Sequence, residues 1–305
     1  MTTTDSDLLY KYRNGNCTVT LYADGTKVRE CDGAPAPERP ESVDLKVTAF
    51  CNVGCPYCHE SATPMGHHAN LETVKAVLAD ARAGMEVAIG GGDPMAWPDL
   101  KSALEWMRSR GLVANLTVHG PVPRGRTETL AAWQRRGLVH GIGASWVPGM
   151  QVPELEHVVI HAIAGIHGVG ELAGWLDDYW GQRVLILGYK RWGRGVACSL
   201  DLEERLADWR HGLHKIASNA ESVSFDNLAL EQLQVRSFVS ARFWKQGYMG
   251  DDGQFTMYLD AVTDSFAANS TSERQARNGR SLSEMFAAVR ASSWGDSHAT
   301  SHSSA

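Results

Sequence analysis

From Val43 onward, short apolar runs alternate with longer stretches of helical period. The runs "VDLKVTAF", "MEVAIGG", "VANLTVHG", "HGIGASW", "HVVIHAIAG" and "RVLILGYK" read as strands. The segments at about 70 to 83, 98 to 110, 126 to 136 and 169 to 180, with "LEERLADWRHGLHKIASNA" after the sixth run, read as helices. Repetition of that unit is the signature of a parallel sheet with crossover helices, an α/β fold. Six units suggest an open, partial (β/α)6 barrel of TIM type. A doubly wound sheet gives much the same string, and periodicity does not separate the two.

The flanks carry different patterns. Asn14-Gly15 and Asp24-Gly25 are hairpin turns between β-forming runs, so residues 1 to 34 read as a small β-meander, joined by a linker at 35 to 42. After the core, "VSFDNLAL" reads as a further strand, "EQLQVRSFVSARFW" as a helix, and "SLSEMFAAVRAS" as a closing helix whose Ser and Glu stand at capping-box spacing. In "GYMGDDGQFTMYLDAVTDSF" the glycines and the alternation of Phe255, Met257 and Leu259 fit either a lid over the barrel mouth or a hairpin that completes the core. Residues 231 to 292 are read as a C-terminal cap. The small, polar stretch from 293 to 305 is expected to be disordered.

Composition narrows the class. With 305 residues and 43% hydrophobic content, the chain has material for a substantial core. A formal charge of -6 and no long run of like charge disfavour non-specific nucleic-acid binding. The N-terminus lacks a signal-peptide pattern, and no apolar run reaches the ~20 residues of a membrane helix. The expectation is a soluble, cytoplasmic protein without membrane contact. In that reducing compartment clustered cysteines point to metal or catalysis, and Cys17 and Cys31, although able to face each other on adjacent strands, are expected as free thiols.

The concentrated chemistry is in "AFCNVGCPYCHES", where Cys51, Cys55 and Cys58 follow the first strand of the series as CxxxCxxC. A structural zinc wants four ligands, so this triplet serves it only if His59, His67 or His68 joins. A cluster of four irons and four sulfurs held by three thiolates leaves one iron open to a substrate or cofactor. One strand later, "AIGGGDP" places three glycines and a carboxylate together. Glycines admit a ligand close to backbone, and a carboxylate favours an ammonium group.

These two elements resemble the radical S-adenosylmethionine (radical SAM) enzymes. The resemblance implies one 4Fe-4S cluster on Cys51, Cys55 and Cys58, with Tyr57 as the aromatic residue before the third cysteine. It further implies a SAM site at Gly90, Gly91, Gly92, Asp93 and Pro94, Asp93 standing where the family more often has Glu. Softer matches add His119, at the end of the third strand, Ser145, at the end of the fourth, and Gly188 and Tyr189 near the adenine. Lys190, Arg191 and Arg194 read as an anion site or a solvated rim. No second cysteine cluster follows, and Cys198 stands alone.

The resemblance covers about residues 43 to 230 and implies reductive cleavage of SAM to a 5′-deoxyadenosyl radical. That radical would take hydrogen from a substrate whose identity stays open: a small molecule, a nucleotide or a peptide. The implied partner is a low-potential electron donor such as a flavodoxin or ferredoxin. Two other readings stand beside it: a non-catalytic iron-sulfur or zinc protein, and a nucleic-acid-modifying radical enzyme. His59, Glu60, His67 and His68 fit proton transfer equally with loop solvation or a supporting role beside the cluster.

Overall fold

The structure is a computed structural model that describes residues 8–299. Three strands, β1 (Leu8–Asn14), β2 (Cys17–Tyr22) and β3 (Lys27–Cys31), form the antiparallel meander. The core strands follow: β4 (Ser42–Thr48), β5 (Glu86–Gly91), β6 (Val113–His119), β7 (Ile142–Ser145), β8 (Val158–Ile163), β9 (Arg183–Leu187) and β10 (Ser222–Phe225). Between them run α1 (Leu71–Val77), α2 (Leu100–Ser109), α3 (Arg124–Arg135), α4 (Val169–Asp178) and α5 (Leu202–Asn219), while β7 reaches β8 through an irregular loop. The C-terminal part holds α6 (Asn227–Gln232), α7 (Ala241–Gly247), β11 (Thr256–Asp260), β12 (Ser265–Ala267), β13 (Gln275–Ala276) and α8 (Leu282–Ala299).

Sheet order resolves the ambiguity left by periodicity. The ten-stranded sheet runs β10-β9-β8-β7-β6-β5-β4-β11-β12-β13, so β4 to β10 lie in chain order with no reversal. A doubly wound sheet needs a reversal and covers both its faces with helices. Here one face is covered. Val43, Leu45 and Val47 on β4, Val87 and Ile89 on β5 and Leu116 and Val118 on β6 are buried in a core that also takes in residues of α1, α2 and α8. Ile160 and Ala162 on β8 and Val184 and Ile186 on β9 build a second core with α4 and α5. The alternate residues, among them Asp44, Gly90, Thr117, His119, Ser145 and His161, are exposed or half-buried on the concave face. Where a filled TIM barrel packs branched apolar side chains, this partial barrel keeps a polar lumen.

The meander seats against the N-terminal ends of the strands. Lys27 pairs with Glu86 at 2.5 Å, Arg29 grips the buried Glu41 through two contacts of 2.7 Å, and Arg183 donates to the Asp24 carbonyl at 2.8 Å. Cys17 and Cys31 form a disulfide where free thiols were expected. The antiparallel register sets the two residues directly opposite each other, with Cα atoms 4.0 Å apart.

The helix expected across residues 231 to 244 is broken. Gln234 adopts a left-handed φ of 53°, a short 3-10 turn follows, and Ser240 caps α7 by accepting from Phe243 N. The segment weighed as lid or closing hairpin is built into the sheet: β11 pairs in parallel with β4, and Phe255, Met257 and Leu259 are buried. α8 begins with the expected capping box, Ser281 and Glu284 each accepting from the other's backbone N–H. It runs to Ala299, into the stretch expected to be disordered; residues 300 to 305 lie outside the described residues.

Candidate cofactor site

The parallel strands bring Cys51, Cys55 and Cys58, the glycine turn, His119, Ser145 and Gly188–Tyr189 to one edge of the sheet, the carboxyl edge where α/β folds bind ligands. The loop after β4 has irregular backbone. Cys51 N–H donates to the Thr63 carbonyl, Cys58 N–H to that of Cys55 and Thr63 N–H to that of Ala49. All three thiols are free and partly accessible. Burial pushes the Cys55 thiol up, and the nearby Cys58 and Cys51 add to the shift. Tyr57 is pushed up to about 12 by burial and by Cys55.

The glycine turn is fastened to this loop: Gly92 N–H donates to the Thr48 carbonyl and Asp93 N–H to that of Phe50, both at 2.7 Å. The three glycines have different reasons to be glycine. A Cβ on Gly91, whose φ is +109°, would lie 2.4 Å from the Thr48 carbonyl oxygen, and one on Gly92 2.1 Å from that of Phe50. At Gly90, on the concave face, a Cβ meets nothing within 4 Å. Only Gly90 leaves room for a ligand; the other two let the turn press against the cysteine loop. Pro94 is buried and opens a short 3-10 turn that Asp93 caps. The Asp93 carboxylate also pairs with Arg126 of α3 at 2.7 Å, which leaves acceptor capacity for one further donor.

His119 and Ser145 are register partners on β6 and β7. Burial lowers the His119 pKa, and the charge of Asp93 partly opposes the shift. On the far side, a pocket is lined by Tyr57, His59, Ile163, Ile166, Leu187, Gly188, Tyr189 and Lys190, uniting residues that the sequence places far apart. The Tyr189 side chain is buried and donates to the Gly195 carbonyl. A Cβ at Gly188 would strike Leu228 and the backbone of Ala229, so this glycine serves the approach of α6.

Of the basic trio after β9, Arg191 sits on a solvated rim, whereas Lys190 and Arg194 are held by internal contacts. Arg194 donates to the carbonyls of Cys55 and Ala62, Lys190 to Ser270 and Arg191 to Glu203. Arg194 N–H also donates to the Cys58 carbonyl, so the loop after β9 clamps the cysteine loop. His68 shares a hydrogen bond with Thr48 at 2.8 Å, and the His67 carbonyl accepts from Ala49. His59 is held neutral down to about pH 4 by burial and then by Lys190.

Sequence reasoning left Lys46, Tyr258, Asp260 and Arg274 unassigned. Lys46 binds Glu60 at 2.6 Å, and Tyr258 donates to the same carboxylate at 2.8 Å. Burial works to raise the Glu60 pKa, but Lys46 and the Tyr258 hydroxyl hold it low. The available signal was a lysine at an inward position of a central parallel strand, where an isolated charge demands a partner.

The donor set fits a four-iron cluster, which spreads three thiolates over three irons. Among the described residues, no three His, Cys, Asp or Glu side chains converge on a single ion. No helix among them is long and apolar enough to cross a membrane.

Residues 45–143 match the family model of the radical SAM superfamily. Over 111 residues the chain is 33% identical to the PqqA peptide cyclase of Gluconobacter oxydans, covering 34% of this chain and 30% of the relative. The fold resembles crystal structures of Streptococcus suis SuiB. One, bound to its precursor peptide SuiA, has a TM-score of 0.56 at 12% identity and covers 82% of this chain and 65% of that one. Another, bound to S-adenosylmethionine, has a TM-score of 0.54 at 12% identity and covers 83% and 68%. The matched stretch begins in β4, ends in β7 and contains the three cysteines and the glycine turn.

Proposed function

We propose that this chain is a radical SAM enzyme that modifies a peptide, with one 4Fe-4S cluster on Cys51, Cys55 and Cys58. One observation carries the reading: three free thiols share a loop fastened on one side to the glycine turn and on the other to Arg194. Cys51, Cys55 and Cys58 would hold the cluster, and with SAM and a low-potential electron donor it would supply one-electron chemistry that removes a hydrogen atom from substrate.

The residues of this chain do the rest. Gly90 leaves its side of the turn open, and Asp93, already oriented by Arg126 and Met95 N–H, presents its remaining lone pairs to an ammonium group. His119 and Ser145 offer polar atoms on the same rim. Tyr57, Gly188 and Tyr189 line the pocket assigned to the adenosyl end. The polar lumen below accepts a substrate segment, and the covering cores keep bulk water from the convex face.

Peptide is the favoured substrate class because the named relatives, a PqqA peptide cyclase and a SuiB structure holding its precursor peptide, both concern peptides. The test is anaerobic reconstitution with iron and sulfide, followed by electron paramagnetic resonance and an assay for 5′-deoxyadenosine with dithionite and SAM. The expected result is four irons per chain and reductant-dependent product. Uptake of one zinc and no iron would sink the proposal and leave the structural metal reading.

A further inference from the structure

The loop from Cys51 to Ala69 contains one formally charged side chain besides its histidines, Glu60, and that carboxylate is buried to 6% exposure two residues after Cys58. Both its oxygens are engaged. Oε2 takes Lys46 Nζ at 2.6 Å, while Oε1 accepts the Tyr258 hydroxyl at 2.8 Å and has His59 Nε2 at 3.5 Å and Arg274 at 3.9 Å. Lys46 and Arg274 meet again on Asp260 Oδ2, at 3.3 and 2.6 Å, and the Arg274 guanidinium lies over the Tyr258 ring at 4.4 Å. Two cations thus balance two carboxylates in a closed network that joins β4, the cysteine loop, β11 and the segment before β13.

Buried ion pairs are poor sources of stability, since desolvation offsets their attraction, and apolar residues of similar volume serve a core as well or better. What such a network supplies is geometry, because each charge has one low-energy place. The cysteine loop, lacking regular backbone, is the element here that needs geometry supplied to it. Outer partners of metal ligands act in this way on the ligands' orientation.

We infer that Glu60 is a positioning residue, tying the loop of Cys51, Cys55 and Cys58 to β4 through Lys46 and to β11 through Tyr258. The inference rests on the reading that those cysteines hold the cluster. It makes β11, outside the segment that matches the family, part of the cluster site.

The test uses the full chain, reconstituted anaerobically, as wild type, Glu60→Gln and Tyr258→Phe. Readouts are iron per chain, the resonance spectrum of the reduced cluster with and without SAM, iron release to a ferrous chelator, and the thermal midpoint. Glu60→Gln keeps the shape but loses the charge; it is expected to release iron about tenfold faster and to shift the spectrum. Tyr258→Phe, lacking one hydroxyl, should move the same readouts in the same direction by less, and carries the test should Glu60→Gln not fold. Wild-type release and spectra in the folded variants, whatever happens to the thermal midpoint, would overturn the inference and leave the cluster reading standing. A wild-type chain that takes up no iron would remove the cluster reading and this inference together.

Discussion

The two ends of the partial barrel are held by polar contacts of different kinds. At the amino end the meander meets the sheet through two ion pairs that share no member, Lys27 of β3 with Glu86 of β5 and Arg29 of β3 with Glu41, the residue before β4. At the carboxyl end Lys46, Glu60, Tyr258, Asp260 and Arg274 share partners, and two members, Glu60 and Arg274, lie outside regular structure. Separate pairs act independently, whereas shared partners couple. Substitutions at the amino end should therefore register as stability alone, and substitutions at the carboxyl end as changes in what the loop holds.

The largest effect should come from replacing Cys51, Cys55 and Cys58 together by Ala. Iron uptake should vanish while the thermal midpoint of the apoprotein stays near wild type, because these side chains lie outside both cores. A large fall in the apoprotein midpoint would show that the loop also supports the fold.

Arg29→Ala tests the opposite end. It leaves the Glu41 carboxylate, 1% exposed, without its partner and removes the guanidinium stacked 3.4 Å above the Phe255 ring. Chemical denaturation should show a loss of about 3–5 kcal/mol, with iron per folded chain unchanged. Lost iron in the folded variant would break the contrast between the ends.

His161 lies between them, on the lumen face, its ring packed against Gly143. Burial lowers its pKa from 6.5 to about 4, so the fold keeps it neutral. As pH falls below about 6.5 the unfolded chain takes up the proton first, and stability is lost down to about pH 4, beyond which this contribution is flat. The loss is at most about 3 kcal/mol. His161→Gln should flatten that part of a stability-against-pH curve; an unchanged acid limb would show that the lumen hydrates this ring.

The smallest effect separates neighbouring glycines. Gly91→Ala should cost about 2 kcal/mol by overpacking against Thr48, whereas Gly90→Ala should leave stability within about 0.5 kcal/mol and weaken SAM binding to the reconstituted protein. Equal SAM affinity in Gly90→Ala and wild type would place the ligand elsewhere.

What the sequence disclosed follows from the range of the forces involved. Strands β4 to β9 are legible because apolar residues alternate with inward polar ones, and the start of α8 because its capping box, Ser281 to Glu284, is local in sequence. The break at Gln234 was hidden: its left-handed backbone is imposed by packing of Leu233 and Val235 into the second core. The cysteines and the glycine turn were legible as a pattern, but the division of labour between Gly90 and its neighbours depends on where the Thr48 and Phe50 carbonyls lie. Glu60 and Tyr258 are brought together only by the sheet, and no local rule couples them.

The place of β11 in that sheet sets an order of events for the growing chain. β4, which leads into the cysteine loop, pairs on one side with β5 and on the other with β11, Leu45 standing opposite both Ile89 and Leu259. During synthesis the first edge is covered early, while the second remains an open row of backbone donors and acceptors until β11 has been made. Such late, non-local pairing is slow, and an unpaired apolar strand is prone to join another chain. Productive folding of this molecule is therefore a race for one strand's free edge, and the residues that finish it are those of β11.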